Sequence, residues 1–177
     1  MDMTHGQSAG KDLKFQDELF HHIAGFIDGE GAFPIQIRKT PWTKFGFSIT
    51  PEFSVSQHKD YREILDIIKE VFQCGTISVK GGQPNMLVWV VKSRKYLTEK
   101  VIPFFENYHL IVKKKKFNQF NEIIKRLNNK EHDTKEGFEN LVHLVFQMKG
   151  KGKRRHTKEE ILGNPQRLYV ETAKNAV

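Results

Sequence analysis

Residues 23–31 read Ile-Ala-Gly-Phe-Ile-Asp-Gly-Glu-Gly. Up to Ile27 the run is small and apolar; beyond it two carboxylates alternate with glycines. Upstream, Leu19, Phe20, Ile23 and Ile27 recur on one helical stripe. The spacing predicts a helix over residues 13–28 with Asp12 as its N-cap. Gly25 inside that helix costs about 1 kcal/mol relative to Ala. With Ala24 and Gly29 it leaves a bare strip that a second backbone can approach closely. The helix is expected to run out at Gly29-Glu30-Gly31, where glycine lets the chain turn. Carboxylates at a helix C-terminus oppose the helix dipole, so a pair of them there calls for a purpose beyond solvation. Glu30 offers a hard oxygen ligand of the kind Mg²⁺ takes. Asp28 is suited to bonding backbone groups near the helix end, or a partner helix.

Downstream the period changes from helical to two. Residues 32–39 put Phe33, Ile35 and Ile37 on one face, and residues 45–57 put Phe45, Phe47, Ile49, Pro51, Phe53 and Val55 on one face. Such alternation predicts an antiparallel hairpin with one apolar and one polar side, with Pro51 marking an edge or bulge. A helix over 60–72 follows, then a second hairpin of strands 76–80 and 86–92 around a turn at 81–85. The 86–92 strand is almost wholly apolar, so its faces stay unassigned. Helical turns at 94–108 and helices at 113–128 and 135–148 complete the pattern. Thr157, with Glu160 three residues on, predicts a short helix start. The order αββαββα with further C-terminal helices is an α+β fold: four antiparallel strands with helices on one face. A single domain over 1–177 is expected, with 1–11 a flexible lead and 149–177 a basic loop and helical tail.

Composition removes whole classes of function. The single Cys74 among 177 residues excludes a disulfide scaffold and a cysteine-built zinc site. Eight histidines are scattered without ligand spacing, and His21-His22 is an adjacent pair. No apolar run approaches the roughly 20 residues of a membrane span, and no secretory signal is visible. The net charge of +8 is unevenly placed. Residues 111–130 hold seven basic residues and one acid, residues 149–177 eight and three, and residues 1–31 two and six. A basic surface of this kind suits a polyanion such as nucleic acid.

The polar side of the first hairpin carries Gln36, Arg38, Thr40, Ser48, Thr50, Glu52 and Ser54. A two-stranded ribbon fits the major groove, where Arg and Gln pair bidentately with guanine and adenine edges. The second hairpin adds Thr76, Ser78, Lys80 and Asn85. Lys151, Lys153, Arg154 and Arg155 suit phosphate contacts, which add affinity without sequence information.

The nine-residue run 23–31, with the αββαββα order behind it, resembles the LAGLIDADG homing endonucleases over nearly the whole chain. The departure in the acid pair is Glu30 where Asp is commonest. The resemblance implies a Mg²⁺-dependent, site-specific double-strand DNA endonuclease, with Ca²⁺ supporting binding but not efficient cleavage. It implies a four-stranded DNA-binding saddle, with Glu30 and Gly29 at the metal. Gln57, in Phe53-Ser54-Val55-Ser56-Gln57, matches a residue that positions active-site water; Lys113 matches an active-site lysine. Where the family often has Arg this chain has Tyr61, with Arg62 beside it, and Lys115 is a weaker candidate than Lys113. One motif supplies one acid, while two-metal hydrolysis needs a pair of sites about 4 Å apart. A homodimer packed through Ala24, Gly25, Asp28 and Gly29 is therefore expected, on a pseudo-palindromic target. By resemblance alone the setting is intracellular, in a mitochondrion or chloroplast. The alternative of the same fold is a non-catalytic intron RNA-binding splicing cofactor.

Overall fold

Two prolines and a pair of glycines decide where the strands break. The computed structural model describes residues 5–148 and 155–163, which form two compact units, one of residues 5–32 and 53–114 and one of residues 33–52, 115–148 and 155–163.

The first unit opens with α1, His5–Glu30. It is longer than the expected 13–28, and Asp12 lies within it rather than capping it, because no proline interrupts residues 5–12. Strand β1 (Gly31–Ala32) leads out, and the chain re-enters this unit as β4 (Phe53–His58). A 3-10 turn, Lys59–Tyr61, precedes α2 (Arg62–Phe72). Strands β5 (Thr76–Lys80) and β6 (Gln83–Val91) follow. The β5–β6 turn is only Gly81-Gly82, tighter than the expected 81–85, with Gly82 at φ +75°. A side chain resists that conformation, and glycine takes it freely. The stretch expected as helical turns over 94–108 is α3 (Arg94–Tyr96), a π-helical turn (Leu97–Val101) and α4 (Ile102–Asn107).

These strands make a four-stranded antiparallel sheet in the order β1-β4-β6-β5. The register opposes Phe53 to Val91, Val55 to Trp89 and Gln57 to Leu87. Phe53, Val55, Leu87, Trp89 and Val91 are all buried, so this side faces the core. Phe53 sets its ring edge-on to Phe72 of α2 and Phe105 of α4, which places both helices on that face. Ser54, Ser56, Val88 and Val90 lie on the opposite side, half-buried. The faces of the return strand, unreadable by periodicity, are fixed by this pairing.

In the second unit, β2 (Ile35–Lys39) pairs antiparallel with β3 (Phe47–Pro51) as a two-stranded ladder. The strands expected at 32–39 and 45–57 are thus each split. Pro34 has no N–H to give a ladder and only accepts, from Glu52 N–H at 2.9 Å. The unit also holds α5 (Lys114–Asn128), a 3-10 turn (Glu131–Asp133), α6 (Lys135–Met148) and α7 (Lys158–Leu162). Phe117, Phe120, Ile123, Ile124 and Leu127 form the buried stripe of α5, and Phe33 packs against Phe117 and Phe120. A second cluster joins Phe45, Phe47, Phe138, Val142 and Ile161. Thr157 accepts from Glu160 N–H at 3.1 Å and starts α7 as its sequence predicts. Among the described residues no helix is long and apolar enough to cross a membrane.

Candidate active site and nucleic-acid surface

The C-terminal turn of α1 brings together Asp28, Glu30 and Lys113 of the first unit. Ile23, Ala24 and Ile27 are buried there and anchor the helix to its own core. Ala24 therefore faces inward, not along the bare strip expected of it. Gly25 and Gly29 are exposed, and a Cβ added at either would meet nothing within 4 Å. At Gly31 the chain passes so close to the helix that a Cβ would lie 2.6 Å from Ile27 O.

Asp28 is buried, and its carboxylate gathers three backbone donors. Oδ2 accepts from Ile111 N–H at 2.9 Å and Val112 N–H at 2.8 Å, and Oδ1 from Lys113 N–H at 2.8 Å. Burial alone would raise its pKa. The three N–H groups and the Lys113 charge outweigh that and hold the carboxyl below the usual aspartate range. Asp28 thus bonds backbone near the helix end, one of the two roles open to it in the sequence; its carboxylate is engaged within the chain.

The latch delivers Lys113. Its Nζ donates to Asp28 O and to Gly29 O, carbonyls the helix itself leaves without partners. An ammonium at a helix C-terminus is favoured by the dipole. The lysine run at 113–116 opens α5, where cations are disfavoured; Lys113 escapes that cost by serving the far end of α1. Lys115 is exposed. Glu30 is exposed, and its carboxylate has no partner among the described residues. Gly31 pairs with Val55, two residues before Gln57. Gln57 is half-buried; its Oε1 accepts from His58 N–H at 2.7 Å, and its amide nitrogen has no partner among the described residues. Tyr61 is exposed at the start of α2, and Arg62 is tied to Asp66 Oδ2 at 3.0 Å.

The polar faces follow the expected parity. On the β2–β3 ladder Gln36 opposes Thr50 and Arg38 opposes Ser48. Arg38 donates to Gln36 Oε1 at 2.9 and 2.6 Å, and Thr40 and Ser48 share a hydroxyl bond of 2.8 Å. Glu52 was expected among the exposed readers, but it is only 7% exposed and pairs with Arg38 at 3.2 Å. Its role here is to orient Arg38. In the first unit, Ser54 and Thr76 both oppose Val90, and Ser78 opposes Val88, on the sheet face away from the helices. Lys80 pairs with Gln83, and Asn85 is exposed within β6 rather than in a turn. Arg155 is exposed at a cavity it lines with Gln36, Arg38, Phe146 and His156. Lys151, Lys153 and Arg154 lie outside the described residues.

The sequence model of a family described as LAGLIDADG endonuclease matches residues 23–127. The chain belongs to the LAGLIDADG endonuclease family. DNA endonuclease I-CeuI of Chlamydomonas moewusii is 36% identical over 135 residues, 74% of this chain and 60% of that protein. Homing endonuclease I-ApeII of Aeropyrum pernix is 30% identical over 146 residues, 80% of this chain and 86% of that one. The archaeal intron-encoded homing endonuclease I-Vdi141I, solved in complex with DNA, shares 36% identity at a TM-score of 0.77, covering 84% of this chain and 94% of that one. The resemblance read from residues 23–31 and the α+β fold with a four-stranded antiparallel sheet are both borne out.

LAGLIDADG endonucleases are metal-dependent as a family. The donors here fit a hard cation: one unpaired, exposed carboxylate at Glu30 and the carbonyl of Gly29, which keeps a second lone pair beside its bond from Lys113. Among the described residues no three His, Cys, Asp or Glu side chains gather as a metal cage. The chain by itself thus offers a fraction of a coordination shell. Sequence reasoning missed the Asp28 latch on residues 111–113 and the destination of the Lys113 side chain; no local signal carries a contact across more than 80 residues.

Proposed function

We propose that this chain is a site-specific endodeoxyribonuclease of the intron-homing type. It acts as a homodimer and hydrolyses one phosphodiester bond in each strand of a long, pseudo-palindromic duplex. The observation that carries the reading is the unpaired Glu30 carboxylate at a helix end whose carbonyls are already neutralised by Lys113. Glu30, with Gly29 O, would hold Mg²⁺. The ion, when bound, supplies charge stabilisation at the scissile phosphate and an acidified water. Lys113 has three donors and uses two on the carbonyls, which leaves one for a phosphate oxygen as charge develops there. Gln57, with Oε1 held by its neighbour's N–H, keeps its amide donors for orienting water or phosphate. Asp28 is a positioning residue, acting through residues 111–113.

The half-site logic supports the dimer. One motif yields one carboxylate, and the exposed glycines of α1 are free to take a second helix. Gln36, Arg38, Thr40, Ser48, Thr50, Ser54, Thr76, Ser78, Lys80 and Asn85 would read bases, while Arg155 and the basic residues 151–154 would hold phosphates. The whole chain would act as one endonuclease domain, in an organelle that houses the intron-bearing genome. The test is incubation with a random duplex library and Mg²⁺. Recovery of double-strand breaks at one approximately two-fold sequence is expected; intact DNA throughout, together with accelerated intron splicing, would overturn the reading.

A further inference from the structure

Trp42 is 87% exposed, whereas the chain's other tryptophan, Trp89, is fully buried. An isolated surface hydrophobe is ordinary. This one stands on a loop with little freedom to hide it. Thr40 N–H donates to Gly46 O at 2.8 Å, Thr43 N–H to Thr40 O at 2.9 Å and Gly46 N–H to Thr43 O at 2.9 Å. The Thr43 hydroxyl sits within 2.8 Å of Thr40 O and 3.1 Å of Phe47 O. Lys44 reaches Asp133 O at 2.5 Å, and Phe45 stacks on Phe138 at 4.9 Å. The loop is braced at both ends and in the middle, and the chain that follows turns Phe45 and Phe47 inward. Trp42 is the large hydrophobic residue of the loop that is held out, beside exposed Pro41 and Lys44, and its indole N–H has no partner among the described residues.

The hairpin that presents it, residues 35–51, contains Arg38, Lys39 and Lys44 and no acid. An indole carries roughly 150–250 Å² of surface and loses little freedom on docking, since it has only two side-chain torsions. A cationic ribbon with an aromatic at its tip matches a polyanion whose grooves also offer apolar thymine methyls and sugar edges. We infer that Trp42 seats on duplex DNA, packing its ring against base edges and sugars where the tip of the β2–β3 hairpin meets the target. The contact adds affinity that salt does not screen, beside the screened contacts of the basic side chains. The inference rests on the DNA-binding reading above and adds to it a residue outside the polar stripe.

The test uses full-length protein and a mixed-sequence duplex of about 30 base pairs, without Mg²⁺. Emission of the wild type minus that of Trp42→Phe isolates Trp42, because buried Trp89 contributes equally to both. On DNA addition the Trp42 signal is expected to shift and become shielded from acrylamide. Trp42→Ala is expected to bind roughly tenfold more weakly, with an unchanged dependence on salt. Trp42→Phe, keeping a ring, is expected to bind within about threefold of wild type. Full binding in a gel shift with Trp42 as open to acrylamide as in free protein would overturn this inference and leave the DNA reading intact. Shielding that rises with protein concentration in the absence of DNA would assign the ring to a second copy and overturn it as well. No binding by any variant would end the DNA reading and this inference with it.

Discussion

Asp28→Asn should weaken the fold by about 2–4 kcal/mol at pH 7. The carboxylate takes three backbone N–H groups at 2.8–2.9 Å. Each hydrogen bond to a charged group is worth roughly 1.5–3 kcal/mol, though bonds sharing one acceptor do not add in full. Asparagine keeps one accepting oxygen and turns an NH₂ toward donors it cannot satisfy. For a chain of this size the loss corresponds to roughly 5–15 °C in Tm. The pH dependence follows from the depressed carboxyl pKa of Asp28. A folded pKa below the unfolded value gives stabilisation that is full above the unfolded value, about 3.9, and fades as pH falls through the folded one. Urea unfolding of both proteins, stepped from pH 7 to pH 3, measures this. The gap between them should be wide and flat at neutral pH and should close only below about pH 4. A gap under about 0.5 kcal/mol at pH 7, or one that does not change at low pH, would refute the latch.

Further outcomes separate the remaining roles. Gly25→Leu should raise protomer stability by up to about 1 kcal/mol, since the side chain meets nothing in its own chain and leucine favours helix. The same change should convert a particle of twice the monomer mass into a monomer without cleavage; light scattering with an activity assay reads both, and a fully active monomer would contradict the dimer. Arg38→Ala should relax preference at particular base pairs by about 1–3 kcal/mol, while Lys153→Ala should weaken all sequences alike and lower the salt slope by about one. Binding titrations on matched and mismatched duplexes at several salt concentrations check this pair.

How much was legible in advance follows from the range of each interaction. The parity of 45–57 is local, and Phe47, Pro51, Phe53 and Val55 are buried as that parity requires. The return strand hid its faces because Met86, Val88 and Val90 are apolar yet lie on the outer side, so only pairing with β4 distinguishes them from Leu87, Trp89 and Val91. Pro51 signalled an edge or bulge, but not that residues 35–51 form a two-stranded ladder of their own. At the candidate site the acids were visible as a motif, and their division of labour was not. Asp28 and Glu30 are two residues apart with the same chemistry; one is buried under three N–H donors and the other is open. Glu52 was misplaced for a related reason: alternation assigns a side, but the ion pair with Arg38 determines its burial.

The measurement that tests the account most directly is a binding titration and a cleavage time course on one duplex, with Glu30→Gln beside wild type in Mg²⁺. The substitution keeps the shape at the end of α1 and removes the one unpaired carboxylate there. If Glu30 holds the metal as proposed, cleavage should fall by several orders of magnitude. Specific binding should persist or tighten slightly, because the proposed base contacts lie on the strands and a negative charge at the proposed phosphate site is gone. With Ca²⁺, the wild type should likewise bind without efficient cleavage. Near-normal cleavage by Glu30→Gln would contradict the account.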